Sequence, residues 1–205
     1  MSPIKASAAA AALAALMLTG GCALLSNPKP VQLYDFGAEA SASPAETSGA
    51  PVQVALRGAE FPQASKGDRI LGVTAGSEAA YIKGARWTSP AQILFVEGLE
   101  NSFASQSGRV RIIGPGELTQ VTRTLAVDVR TFEAQYEQEG ASPVVQVTAR
   151  ARLLSYPERA VIAERTFSVN QPATENRISA IVSAFDVATR DIQTQIVGWT
   201  ETSAR

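Results

Sequence analysis

The stretch Arg123–Tyr136, RTLAVDVRTFEAQY, constrains the fold more than any other part of the chain. Leu125, Val127 and Val129 alternate with residues that are small or charged. This period of two indicates a strand with one face toward a core and one face that tolerates charge. Strand patterns and turn residues lie on both sides of it. We therefore predict that it occupies the interior of one sheet and joins an earlier half of the domain to a later one.

The earlier half contains short strand patterns and one helix. Alternation predicts a half-buried strand over residues 52–57, a hairpin from 70–73 and 79–82, and a short strand over 110–113. Between them, Thr88 or Ser89 is expected to cap a helix whose first turn contains Pro90. The core-facing stripe of this helix, which ends before Gly108, is Phe95, Val96, Leu99 and Phe103.

The later half reads as a meander followed by a long helix. Residues 144–154 and 160–169 alternate around a turn with Pro157, which predicts antiparallel strands. Apolar residues then recur at three- and four-residue steps from Ile178 to Trp199, which predicts a closing helix of about six turns. The predicted fold is α+β: a single domain over residues 51–205, with a mixed, mostly antiparallel sheet covered by two amphipathic helices.

Composition excludes several functional classes. The 205 residues are 45% apolar, which suits one compact domain, and their net charge of −1 argues against nucleic-acid binding. With no histidine and one cysteine, the usual zinc sites and catalytic triads cannot form. The odd spacing of Asp128 and Glu133 places them on opposite faces of an unbroken strand, so paired-carboxylate catalysis is not expected. We predict neither an enzyme nor a metal or cofactor site.

The N-terminus predicts export and an anchor. Lys5 precedes a 13-residue apolar run over residues 6–18, too short for the roughly 20 residues that span a bilayer. Gly20 and Gly21 then lead into Cys22, and LTGGC resembles a bacterial lipobox. We predict a signal peptide over residues 1–21 and lipidation of Cys22; an ordinary cleaved signal peptide with an incidental cysteine is the alternative.

Residues 22–50 are rich in proline, alanine and serine, a composition typical of a flexible tether. Within them, residues 31–37 contain Leu33, Tyr34 and Phe36. This cluster predicts a short first strand or a docking segment, with an apolar but unstructured linker as the alternative.

Two sets of residues are candidates for binding a partner or a lipid. Trp87 is either an anchor for a partner or lipid, or a core side chain. Asp128 and Arg130 share a strand face, and we expect Arg150 and Arg152 on the same face of a neighbouring strand. These four residues form either a polar groove for an anionic lipid head group or partner, or an ordinary solvated sheet face.

An ordered series of segments covering nearly the whole exported chain resembles one family. The series comprises the LTGGC segment, YDFG at 34–37, a hairpin containing Tyr81, RWTSP at 86–90 opening a helix, a strand ending in Phe132 and Glu133, the hairpin of 144–154 and 160–167, and a final helix with Trp199. In order and kind it resembles the auxiliary lipoproteins of ABC-type transport systems that move lipids between bacterial membranes.

The resemblance implies a non-enzymatic subunit whose partners are an MCE-domain protein, a permease and an ATPase. It leaves open a lipid ligand and self-association into a homo-oligomer. The chain has no Gly-x4-Gly-Lys-[Ser/Thr] nucleotide-binding loop of its own. Ala23, rather than aspartate, follows the cysteine, which favours an acyl anchor in the periplasmic leaflet of the outer membrane. The alternative function is an envelope structural or assembly lipoprotein, such as a pilotin-like scaffold.

Overall fold

The computed structural model describes residues 30–37, 51–75, 78–114, 117 and 120–204. The predicted signal peptide, Cys22 and most of the predicted tether lie outside the described residues. The chain divides into two units, Met1–Val31 and Gln32–Arg205, and the fold is that of the second.

The described part of the second unit contains eight strands and two helices. The strands are β1 (Gln32–Tyr34), β2 (Val52–Glu60), β3 (Arg69–Thr74), β4 (Ala79–Trp87), β5 (Val110–Ile113), β6 (Arg123–Tyr136), β7 (Val144–Ser155) and β8 (Val161–Pro172). The helices are α1 (Ala91–Gln106) and α2 (Ile178–Ser203). Helix α2 has 26 residues, about seven turns rather than the six predicted.

Strand β6 is the centre of a single sheet, as its sequence predicts. Along one side it pairs with β7 over almost its whole length, and β8 continues the antiparallel meander. Along the other side, the first half of β6 pairs with β2, and its last residues pair with β3. The sheet therefore divides at β6 into two arms, one running through β2 to β5 and the other through β3 and β4 to β1.

The sheet is mixed, and its long pairings are antiparallel. The predicted hairpin of β3 and β4 and the meander of β6, β7 and β8 are confirmed. The pairings that close the two arms on β6 are parallel, as are those of β1 with β4 and of β2 with β5. Parallel neighbours need long crossover connections, and α1 lies in the connection between β4 and β5.

Both helices lie on one face of the sheet. In β7 every second residue from Val145 to Leu153 is fully buried, as the alternation predicts. Helix α2 packs on β7 and β8, and α1 packs on β2, β5 and α2. This arrangement leaves the other face of β6 and β7 for polar and charged side chains. We call this second face the open face.

The short segment around β1 is docked on the domain. β1 pairs in parallel with the end of β4, and the Tyr34 carbonyl accepts the Thr88 N–H at 2.8 Å. Phe36 is 3% exposed, and the Gly37 N–H donates to the Asp186 carboxylate at 3.0 Å. The short strand predicted within residues 31–37 is confirmed.

Helix α1 begins with backbone caps instead of the predicted side-chain cap. Pro90 occupies the N-cap position, and neither Thr88 nor Ser89 caps the helix. The Ala91 and Gln92 N–H groups instead donate to the carbonyls of Gly67 and Lys66, at 3.0 and 3.3 Å. The expectation was wrong because a distant loop already supplies acceptors to the free donors of the first turn.

We expect Thr88→Ala and Ser89→Ala to change the free energy of unfolding by less than about 0.5 kcal/mol, because neither hydroxyl caps α1. Loss of a true N-cap costs about 0.5–2 kcal/mol. Urea denaturation followed by circular dichroism measures the difference. A loss above about 1 kcal/mol in either variant would show that the hydroxyl does cap the helix in solution.

Candidate functional site

The four charged residues predicted to share a strand face all lie on the open face. Asp128 pairs in register with Arg150, and Ala126 pairs with Arg152. The neighbours of these residues along β6 and β7 are buried on the opposite side. The prediction that β6 and β7 present their charges together is therefore confirmed in geometry.

A β-bulge in β6 adds an acidic residue to this face. The register between β6 and β7 shifts between Val129 and Thr131, so Arg130 is an extra residue. Because of this shift, Phe132 is buried and Glu133 lies on the same face as Asp128. The expectation of opposite faces was wrong because it assumed an unbroken strand. Burial raises the pKa of the Glu133 carboxyl.

Ion pairs neutralise part of the open face. Asp128 contacts Arg130 at 2.7 Å, and Glu164 of β8 contacts Arg150 at 2.8 Å. All four side chains keep more than a quarter of their exposure, so each pair contributes no more than about 1 kcal/mol. Among the described residues Arg152 forms no ion pair, and its buried Nε has no hydrogen-bond partner. Arg152 is thus a cation left available on this face.

A small polar cavity of about 250 Å³ contains two of the four predicted residues. Asp128 and Arg152 line it, together with Arg57 and Glu60 from β2. Arg130 and Arg150 lie on the same face outside its lining. The predicted polar groove is therefore smaller than the four residues suggested, and it includes β2.

A larger cavity of about 710 Å³ lies beside it, where β2, β6 and the end of β7 meet the turn before β8. We call it the end groove. It is lined by Ala55, Arg57, Gln120, Val121, Thr122, Thr124, Leu154, Tyr156, Pro157 and Arg159. Sequence reasoning missed this site because its wall comes from four separate segments whose proximity depends on the parallel pairing of β2 with β6.

Trp87 belongs to the core. Its ring is 2% exposed and packs edge-on against Phe36 and Phe185, with ring centroids 4.7 and 5.3 Å apart. A side chain so enclosed presents no surface to a partner or a lipid. The anchor interpretation of Trp87 is corrected in favour of the core alternative.

Among the described residues, no helix combines the length and the apolar composition needed to cross a bilayer.

Comparison with solved structures identifies the class of fold. The chain is similar to a protein of Xanthomonas campestris, with a TM-score of 0.70 and 23% identity over 84% of this chain and 96% of that one. It is also similar to a hypothetical protein of Chlamydia trachomatis, with a TM-score of 0.54 and 12% identity over 76% of this chain and 98% of that one. At these identities the likeness shows a shared fold. No curated protein matches this chain.

The family follows from the sequence match. The model of the ABC-type transport auxiliary lipoprotein component matches residues 34–197, from β1 into the last turns of α2. This chain belongs to the ABC-type transport auxiliary lipoprotein family, which confirms the resemblance. Membership of a lipoprotein family fits a lipid-anchored protein of the cell envelope that associates with an ABC transport system.

Proposed function

We propose that this protein is the lipid-anchored auxiliary subunit of an MCE-associated ABC system that moves lipids between membranes. The observation that carries the proposal is the family match over residues 34–197. Its partners are an MCE-domain protein, a permease and an ATPase, which supply the channel and the energy. The protein contributes contacts, and its charged open face is the surface we assign to them.

The side chains of the open face support a role without catalysis. The Asp128 carboxylate forms an ion pair with Arg130 at 2.7 Å. Asp128 and Glu133 pair with Arg150 and Gln146, which are four residues apart in β7, or about 13 Å at the usual rise. The carboxyl pairs of glycosidases stand about 5–10 Å apart. These two carboxylates therefore do not form such a pair although the bulge places them on one face.

The docked β1 segment limits how far the body reaches from its anchor. Nine residues lie between Cys22, the proposed site of the acyl chains, and Gln32, where β1 begins, and these ten residue steps span at most about 35 Å. Several acyl chains hold a protein on a bilayer effectively for good. We place the anchor in the periplasmic leaflet of the outer membrane, from which the open face meets partners close to that membrane.

An epitope-tagged copy purified from membranes tests this proposal. We expect it to recover an MCE-domain protein and the ATPase, and we expect Cys22→Ser to move the protein into the soluble fraction. Ala23→Ser keeps the cysteine and is the matched control, which should remain in the membrane. Recovery of secretin or peptidoglycan partners would favour an envelope scaffold instead. A Cys22→Ser protein that stays on the membrane after a salt wash would overturn the anchor.

A further inference from the structure

We propose that the end groove binds one acyl chain of an anionic lipid, with Arg57 and Arg159 holding the head group. The inference rests on the proposed function and names the ligand class of one site within it. The end groove is a separate site from the predicted contact residues, none of which lines it.

The size and lining of the end groove suit an amphiphile. Its volume of about 710 Å³ falls within the roughly 300–1,000 Å³ of ligand pockets. Leu154, Val121 and Pro157 form an apolar wall, and the exposed ring of Tyr156 extends it. Outward-facing Leu154 is unusual, since its neighbours in β7 place their apolar side chains in the core. A bound acyl chain would cover this surface.

The charge of the end groove is complementary to an anion. Arg57 and Arg159 line it, and none of its described lining residues is acidic. In the described part of the chain, neither arginine forms an ion pair, whereas Arg130 and Arg150 on the same face are paired. Arg57 also lines the adjacent small cavity beside Arg152. Asp128 and Glu60 also line the small cavity, whereas the described lining of the end groove carries only the two arginines.

Irregular backbone lies at or next to both arginines. Arg57 precedes Gly58, whose φ of +82° marks a bulge where β2 shifts register against β6. Bulges re-aim side chains and are frequent beside functional sites. Arg159 has a φ of +58°, a conformation that favours glycine or asparagine. Its N–H donates to the Ser155 carbonyl at 3.0 Å, which holds the turn. Strained backbone positions cluster at functional sites, which supports a functional use of the Arg159 side chain.

The chemistry of the end groove favours a lipid over other anions. A nucleic acid or an acidic peptide needs an extended basic surface, whereas the chain has a net charge of −1. Two cations next to an apolar wall instead match one charged head group joined to one hydrocarbon chain. The ligand we commit to is therefore a lipid with an anionic head group.

Binding of palmitoyl lysophosphatidylglycerol to the full chain carrying Cys22→Ser tests the proposal, since that protein has no acyl chain of its own. Titration calorimetry below the critical micelle concentration should show tighter binding of palmitoyl lysophosphatidylglycerol than of palmitoyl lysophosphatidylcholine. The double variant Arg57→Gln and Arg159→Asn should weaken binding of the anionic lipid by about tenfold and bring the two lipids close to equality. Asparagine accepts the left-handed backbone, so the turn is retained.

Two further variants locate the bound chain. Leu154→Asp should abolish binding of both lipids, and Arg130→Gln, on the same face outside the groove, should change neither. Equal affinity for both lipids in the unmodified groove would overturn the head-group assignment. Equal affinity for glycerophosphoglycerol and the lysolipid would show an anion site without a chain site, and would also overturn the proposal. If no lipid binds but the tagged protein still recovers the transporter, the inference fails and the proposed function stands. If the anionic lipid binds but the tagged protein recovers no transporter partner, the proposed function fails and the lipid site stands.

Discussion

Replacing Phe132 by alanine is expected to lower the free energy of unfolding by about 4 kcal/mol, the largest effect of any single substitution proposed for this protein. Phe132 is 2% exposed and lies on the core side of β6. Removing its ring leaves a cavity among large side chains that come from separate elements and cannot all close on it. A typical domain has only about 5–15 kcal/mol of stability.

The expected loss of stability is large because side chains from several elements meet at Phe132. Its ring centroid lies 4.9 Å from that of Phe185 in α2, and 5.2 Å from that of Phe36 after β1. It also lies 5.5 Å from Phe61 after β2, and 6.4 Å from Trp87 at the end of β4. Aromatic pairs add about 0.5–1.5 kcal/mol each beyond the burial of their area. This ring therefore joins both arms of the sheet to α2.

Urea denaturation followed by far-ultraviolet circular dichroism measures the loss. Phe132→Leu fills most of the volume and should cost less than half as much as the alanine variant. Ile162→Ala removes an exposed apolar side chain from β8 and should stay within about 0.5 kcal/mol of the parent. A loss below about 1.5 kcal/mol for Phe132→Ala would contradict the central position assigned to this ring.

Replacing Glu201 by alanine is expected to cost about 2–3 kcal/mol, because one carboxylate oxygen satisfies several donors. Its Oε1 accepts the Val110 N–H at 2.9 Å and the Arg109 N–H at 3.0 Å, and it contacts the Ser107 hydroxyl. These bonds hold the start of β5 to the last turn of α2. Without the carboxylate, the buried donors of Ser107 and Val110 lose an acceptor.

The same site predicts a pH dependence. Burial alone would raise the pKa of Glu201, but the hydrogen bonds of Ser107, Val110 and Arg109 and the charge of Arg109 bring it below its ordinary value of 4.5. Because the folded-state pKa is lowered, the stabilisation is fully present above about 4.5 and is lost as pH falls through the folded-state pKa. Unfolding below that pH should therefore become easier for the parent protein.

Glu201→Gln separates charge from shape. It keeps an acceptor oxygen but should cost about 1 kcal/mol at neutral pH and lack the acid-dependent component. Partial burial raises the pKa of the Glu133 carboxyl, so the contribution of Glu133 to stability changes with pH in the opposite direction. The difference in unfolding free energy between the parent and Glu201→Gln is therefore the quantity to follow. Glu139→Ala in the exposed loop after β6 is the matched control. A difference curve that stays flat from pH 6 to pH 3, roughly the span over which carboxylates titrate, would disprove the lowered pKa.

Local pattern in the sequence was sufficient for the elements and for the faces of the central strands. Alternation identified β6 and β7, and helical spacing identified α1 and α2, because each signal arises within a few residues of chain. The placement of Asp128, Arg150 and Arg152 on one face of the sheet followed from the same period. The order of the segments along the chain identified the family, and this identification required no knowledge of contacts between the segments.

Contacts between distant segments decided the rest. The parallel pairing of β2 with β6, the backbone caps of α1 and the aromatic cluster around Phe132 join residues that no local pattern relates. The bulge at Arg130 moved Glu133 to the open face, and the parallel pairing of β2 with β6 brought Arg57 to the end groove. A shift of one residue exchanges the faces of a strand, so where each charge lies depends on register, which packing of the whole sheet sets.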